Sequence, residues 1–544
     1  VSEARQGSFS GLRSLLWPRP GERLVPALSG VLLALSYPPL HLLVPPFVGL
    51  VPFALWVHAL PAEAEGRRAA VRGSLVFGAV HFGIVFYWIL VALIWFTPLA
   101  ILAFLAALVG LMAIAALFGW ILHRGAHGVG APLWVALPVA WTAAEWVRAH
   151  LPSTLAFPWL PLGNALTGYP ELVGIAELVG TSGVSFWMAA VNGLVAVLVL
   201  ELRAKERWVP QAVTVALALA LPMGWGVWRA RTLEMRDAGR VAVMQPNIPE
   251  HIKLDTRAGL DSTLASLTRL VPGVVPRETD LIVMPEVTLR IFPRLEAHEG
   301  WLEPLKAWSG YARAPILFGA LGYSGDLSGR LTPYNSAFLL DENGLLDYQY
   351  DKRHLVPFVE RVPFLPPEWF GAFQYFGGFG VGQGWPLARV GGTDYAVLIC
   401  YESSYPEASR RFRLEGADVL VNITNDAWYG REPLYARTTA LWQHPAHMVM
   451  RAIENRMGVA RAANTGISLY VDPVGRVLAP TALFEADIRT ATVQTTDILT
   501  FYTRFGDLVG NGSALGALLL VLASFWLGRG AGRSPDLDPQ NPRM

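Results

Sequence analysis

Seven apolar stretches crowd into residues 24–228, separated only by short polar breaks. Their approximate limits are 24–41, 42–60, 73–95, 98–122, 130–147, 183–200 and 209–227, and an eighth follows at 512–528. Each is near the ~20 residues an α-helix needs to cross a hydrocarbon core. Lipid tolerates only segments that satisfy their own backbone, so this pattern predicts an α-helical membrane bundle of about eight spans. Pro38, Pro39, Pro45 and Pro46 interrupt the first two stretches, which predicts short or broken helices there. Hydrophobic residues make up 53% of the chain and charged residues 16%, too apolar a balance for an ordinary soluble protein.

The basic residues orient the bundle. Arg5, Arg13, Arg19, Arg23, Arg67, Arg68, Arg72, Arg124, Arg203, Lys205, Arg207, Arg529 and Arg533 fall on segments that share one side if the N-terminus is cytoplasmic. The short connections on the other side hold almost none, Arg148 being the main exception, a positive-inside pattern. Seven spans then place the long polar region outside the cytoplasm, and the eighth returns the C-terminus. No cleavable signal sequence is expected. The segment 148–182, rich in Pro, Leu and aromatics, reads as a loop in the outer membrane interface. A formal net charge of +1 supplies no basic field for nucleic acid.

The chain divides into a membrane domain at 1–237, a domain of soluble-protein composition at 238–505, and a last span with its tail at 506–544. In the middle part, strands are predicted at 240–245, 281–287, 315–323, 334–341, 395–400, 419–424 and 468–473. Helices are predicted at about 255–271, 300–312, 404–415 and 434–456. This mixture predicts layered α/β packing.

Cys400 is the single cysteine, so an intramolecular disulfide and any Cys-based zinc or iron–sulfur site are excluded. It ends the apolar run "YAVLIC" and precedes "YESSYPEASRRF". Ser404 is a candidate N-cap and Pro406 suits a first helical turn. A thiol at such a strand-to-helix turn is expected to feel positive helix-dipole charge, which favours thiolate. By itself, a cysteine ending an apolar strand is more often inert core. "LIVMPEV" carries Glu286 at a strand end, where a carboxylate near burial can serve as a general base. "YQYDKRHLVPFVE" carries Lys352 in a charged loop and closes on Glu360. "VNITNDAWYG" is a turn by composition, and its Trp428 and Tyr429 are costly to leave in water. Glu145 and Arg148, at the end of the fifth stretch, are charges expected either to contact a lipid headgroup or to snorkel to the interface.

The order strand-end Glu, loop Lys, strand-end Cys resembles the nitrilase (carbon–nitrogen hydrolase) superfamily. That resemblance implies an αββα sandwich with Glu286 as base, Lys352 as oxyanion stabiliser and Cys400 as nucleophile. With the spans around it, the chain resembles the bacterial apolipoprotein N-acyltransferase family. The stretches "QPNIPEHIKLD", "KRHLVPFVE", "CYESSYPE", "NITNDAWYG" and "FPWLPLGNAL" carry this likeness. It implies supporting roles for Glu360, Tyr401 and Glu402, with Glu360 and Glu402 orienting Lys352 and tuning Glu286, and substrate contacts for Trp428 and Tyr429. It further implies a phospholipid acyl donor cut at sn-1, a diacylglyceryl apolipoprotein acceptor, and a Cys400 thioester between them. No cofactor or metal is expected. The setting implied is the bacterial inner membrane, with the catalytic domain periplasmic, both termini cytoplasmic, and a monomer in the bilayer. Members often carry Trp where this chain has Leu254, so an aromatic role is not carried over there. The alternatives are a membrane-anchored nitrilase-type amidase acting on small amides, and a transporter or scaffold whose soluble domain only binds.

Overall fold

The computed structural model describes residues 19–531 apart from 95–97, 153–154, 326–330 and 365–377. Arg5, Arg13 and Arg533, used above to orient the bundle, lie outside the described residues. Among those described, five helices are long and apolar enough to cross a membrane: Ala64–Phe86, Ala100–Val129, Ala176–Ala204, Trp208–Thr232 and Leu508–Leu527. The remaining expected spans are shorter. Leu24–Ala34 has 11 residues and Leu133–Ala149 has 17. The proline-rich second stretch is split into Pro45–Val48 and Val51–His58. Arg67, Arg68 and Arg72 belong to the first turns of a helix rather than to a loop. Arg72 is buried, and its guanidinium grips Glu22 through Nε–Oε2 at 2.7 Å and Nη2–Oε1 at 2.6 Å.

The region between the membrane helices and the last span is two six-stranded sheets face to face. In the first are β1 (Arg236–Gln245), β2 (Leu281–Val283), β3 (Ile316–Ser324), β4 (Thr332–Leu340) and β5 (Tyr348–Asp351). The second holds β6 (Ala388–Val390), β7 (Thr393–Ile399), β8 (Val419–Thr424), β9 (Gly458–Ala463), β10 (Leu469–Val471) and β11 (Val477–Leu478). The last strand, β12 (Asp487–Thr495), returns to the edge of the first sheet. The orders are β12-β1-β2-β3-β4-β5 and β11-β10-β9-β8-β7-β6. β1, β2 and β3 run parallel, as do β7, β8 and β9.

Strand periodicity explains the layers. Val241 and Val243 of β1 share a core with Leu398 and Leu420 of the facing sheet. The alternate residues Ala242 and Met244 pack with Leu267 and Trp308, on the helices Thr256–Leu270 and Glu303–Ala312. Both faces of the sheet are therefore covered, which is why these strands read as continuous apolar runs. Helices Pro406–Leu414 and Ala440–Asn455 cover the second sheet.

The outer helix Ala440–Asn455 also packs against the membrane helix Ala176–Ala204, which explains its buried polar residues. Thr181 donates to Glu454 from its backbone N–H and its hydroxyl, at 2.8 and 2.5 Å. The described residues of segment 148–182 complete this junction. Its Trp159 is fully buried, its ring centroid 4.9 Å from that of Trp88 and 5.1 Å from that of His444. Its indole N–H donates to Gln443 Oε1 at 3.1 Å. The many prolines break a spanning helix but leave aromatics free to fill the seam between the two domains. Trp159→Ala is expected to cost about 3–5 kcal/mol, as for other large-to-small core changes, and to lower the Tm of the detergent-solubilised protein.

Candidate active site

β7 ends at Ile399, and Cys400 opens a 3₁₀ turn, Cys400–Ser404, with φ 54°. That is left-handed backbone, rare for a non-glycine residue and held only where its surroundings dictate it. Glu402 supplies part of the constraint. Its Oε2 accepts from the Ile399 N–H at 2.8 Å. Its Oε1 accepts from the Arg353 N–H at 2.8 Å and the Tyr350 hydroxyl at 2.8 Å. Glu402 thus ties the residue before Cys400 to the residue after Lys352. It makes no side-chain bond to Lys352 or Glu286 and reaches Lys352 only through the neighbouring backbone. Burial opposes its charge, but His354 and these N–H groups hold the carboxyl below its usual range.

His444 props the same turn from behind. Its Nε2 lies 3.1 Å from the Cys400 carbonyl oxygen and its Nδ1 lies 2.8 Å from Asp426 Oδ1. Arg461 Nη2 donates to Asp426 Oδ2 at 2.7 Å. Burial works against the Asp426 charge, yet Arg461 and His444 hold it well below the usual carboxylate range.

Lys352 follows β5 directly and is buried. Its Nζ lies 2.9 Å from Glu360 Oε1 and 3.4 Å from Glu286 Oε1. Asn335 Nδ2 donates to both of those carboxylates, at 2.7 Å to Glu286 and 2.9 Å to Glu360. The Asn425 N–H donates to Glu286 Oε2 at 2.9 Å. Glu286 itself lies past the end of β2, which stops at Val283, so the expected strand 281–287 is shorter. Gly319 on β3 makes room for it: a Cβ there would come within 2.7 Å of the Glu286 Cα.

Glu286, Lys352 and Cys400 line one cavity of about 1310 Å³. Burial would lower the Lys352 pKa, but Glu360 and Glu286 raise it well above its ordinary value, so it is an ammonium. The thiol goes the other way. Burial and the Glu286 charge push its pKa well up against the opposing pull of Lys352, so the resting group is a protonated thiol. This corrects the expectation of a dipole-favoured thiolate, because the helix Pro406–Leu414 begins only six residues later. Ser404 is not its N-cap either. Tyr405 holds that position, and the Ser404 hydroxyl donates to the Tyr401 carbonyl at 2.8 Å.

Tyr401 reaches across the domain junction, its hydroxyl donating to the Ala156 carbonyl at 3.1 Å. Trp428 and Tyr429 line the cavity, and the buried Tyr429 ring meets Trp88 edge-on at 5.2 Å between centroids. Leu254 also lines it. Arg148 does too, buried rather than snorkelling, with Nη1 donating to the Trp159 carbonyl at 2.7 Å. Glu145 accepts from Trp141 Nε1 at 3.0 Å and from the Leu162 N–H at 2.7 Å. Sequence reading missed Asn335, Glu250, Lys253, Asp426, His444 and Arg461. Only "NITNDAW" had a usable cue, an Asp amid a turn next to the nucleophile's sheet.

An αββα sandwich with a buried cysteine, lysine and glutamate around one cavity is the architecture of the carbon–nitrogen hydrolases. Residues 240–500 match the family model described as carbon-nitrogen hydrolase, and residues 29–194 match the apolipoprotein N-acyltransferase N-terminal domain. The apolipoprotein N-acyltransferase of Geobacter metallireducens is 31% identical over 518 residues, covering 92% of this chain and 95% of that one. The apolipoprotein N-acyltransferase of Chlorobaculum tepidum is 30% identical over 552 residues, covering 95% of this chain and 99% of that one. Among solved structures, a mutant amidase from Nesterenkonia is 20% identical with a TM-score of 0.35, covering 49% of this chain and 94% of that one. The chain belongs to the apolipoprotein N-acyltransferase family and is an acyltransferase. The amidase alternative is less supported.

Proposed function

We propose that the chain moves a fatty acyl group from the sn-1 position of a phospholipid, through a Cys400 thioester, to the α-amine of the diacylglyceryl-cysteine that begins an apolipoprotein. One observation carries this reading: the cavity around Cys400 has an apolar wall built by membrane helices and a charged wall built by the catalytic domain. Ala103, Ala106, Leu111 and Ile114 line the first, and Glu286, Lys352 and Glu360 line the second. An acyl ester of a lipid matches both.

Glu286 accepts the thiol proton as Cys400 Sγ attacks the ester carbonyl. Lys352 and the Tyr401 backbone N–H stabilise the tetrahedral oxyanion. The intermediate collapses, the C–O bond breaks, and Glu286 returns the proton to the departing lysophospholipid hydroxyl. The acceptor amine then attacks the thioester, Glu286 takes its proton, and collapse releases the amide and restores the thiol. Thioester to amide is downhill, so the residues named suffice. Glu360 and Asn335 hold Lys352 and Glu286 in register, while Trp428 and Tyr429 cover the cavity against water. The reading places about eight spans in the bacterial inner membrane, the catalytic domain on its periplasmic face and both termini in the cytoplasm, the enzyme working as a monomer.

Purified full-length protein, loaded with a defined phospholipid and then given a synthetic diacylglyceryl-cysteine peptide, is expected to yield a peptide heavier by one fatty acyl group. Tandem mass spectrometry is expected to place that group on the α-nitrogen. A free fatty acid with an unmodified peptide would make the chain a lipase, and release of ammonia from small amides in its place would favour the amidase.

A further inference from the structure

The charged wall of the cavity holds a cation that the reaction above does not use. Lys253 ends the short helix Glu250–Lys253 and lines the same cavity as Cys400. Its Nζ donates one hydrogen bond, 3.0 Å long, to the Glu286 backbone carbonyl. An ammonium has three donors. Among the described residues, no carboxylate forms an ion pair with this one. Its neighbour Glu250 accepts instead from Asn425 Nδ2 at 2.8 Å. Burial pulls the Lys253 pKa down, with Glu250 and Glu286 opposing that pull. A half-buried ammonium with spare donors beside a reacting centre is suited to receive an anion.

The position suits one part of the donor. In a glycerophospholipid, the sn-1 ester and the phosphate are joined through three glycerol carbons. Lys253 lines the same cavity as Cys400 and is bonded to the backbone of Glu286, which suits it to meet that phosphate. Arg290 lines the same end and adds positive charge, its Nη1 donating to the Leu254 carbonyl at 3.2 Å. Arg148 also lines the cavity, but it is held by the Trp159 carbonyl and lies within 5.8 Å of the Phe86 ring and 5.9 Å of the Phe157 ring. We propose that Lys253 binds the phosphodiester of the acyl donor and so seats the sn-1 ester over Cys400. This rests on the acyl-transfer reading and names the group that selects its donor.

The test compares two donors carrying the same acyl chains: a phosphatidylethanolamine and the corresponding diacylglycerol, which lacks phosphate. Intact-mass time courses on the full-length protein give kcat/KM for acylation of Cys400 by each. Lys253→Met is expected to reduce the preference for the phospholipid over the diacylglycerol at least tenfold, mostly through KM. Lys253→Arg is expected to keep that preference within about threefold, since a guanidinium also grips phosphate. Equal losses on both donors in Lys253→Met would mean that Lys253 acts by placing Glu286, and would overturn the inference. Loss of the preference in Lys253→Arg with Tm unchanged would also overturn it. Failure of both donors to acylate Cys400 in the unaltered chain would overturn the acyl-transfer reading and this inference together.

Discussion

Cys400→Ala is expected to abolish the acyl-enzyme: after incubation with phospholipid, the variant should keep its unmodified mass while the parent gains one fatty acyl group. Removing a nucleophile that works as a unit with its base and oxyanion donors costs on the order of 10⁴–10⁶ in turnover. No other thiol can substitute, since the chain has one cysteine. The loss is separable from misfolding. Alanine keeps the Cβ at the strained φ of 54° and vacates only a small volume, so stability should change by less than about 1.5 kcal/mol. Glu402 and His444 hold the turn through backbone groups, which the substitution leaves in place. An acyl increment that persists in Cys400→Ala would remove the thioester from the mechanism.

Lys352→Met is expected to damage both rate and fold. The ammonium lies within 3.4 Å of Glu286 and 2.9 Å of Glu360, and all three are buried. Deleting the cation leaves two carboxylates facing each other across the Asn335 amide, and breaking such a buried pair costs about 3–5 kcal/mol. Losing one oxyanion donor adds a decrease of roughly 10²–10³ in the acylation rate. The two effects are read separately, by thermal unfolding in detergent and by single-turnover acylation at a temperature well below the variant's Tm. Glu360→Gln is the informative partner, because it weakens the pairing of Lys352 yet keeps the ammonium. It is expected to slow acylation less than Lys352→Met does. Acylation of Lys352→Met within tenfold of the parent rate would exclude Lys352 as the oxyanion cation.

How much of the site was legible depended on whether a residue announced itself locally. Cys400 and Glu286 stand at the ends of apolar strands, and Lys352 stands in a charged stretch that turns apolar again, so each stood out within a few residues. Asn335 carries no such mark. It lies in the middle of β4, and its importance arises only because β4 and β5 pair and bring it beside Lys352. His444 sits on the helix Ala440–Asn455, which the sequence marked only as a helix. Its apparent polar face is buried because the membrane domain packs on it. In the segment 148–182 the burial of Trp159 in the domain seam was likewise invisible, since aromatics suited to a membrane surface suit a seam equally well.

The sequence by itself determined the division into apolar helices and a layered α/β region, because hydrophobic period and length are local properties that the backbone must obey. It also determined which residue types were available for the chemistry. Only the tertiary structure decided the charge states and the convergence. The thiol is protonated at rest because burial and the Glu286 charge act on it together, and Lys352 is an ammonium because Glu360, eight residues on, and Glu286, 66 residues back, both meet it. Electrostatic energy depends on separation in space and on lost water, and neither is written in the order of residues.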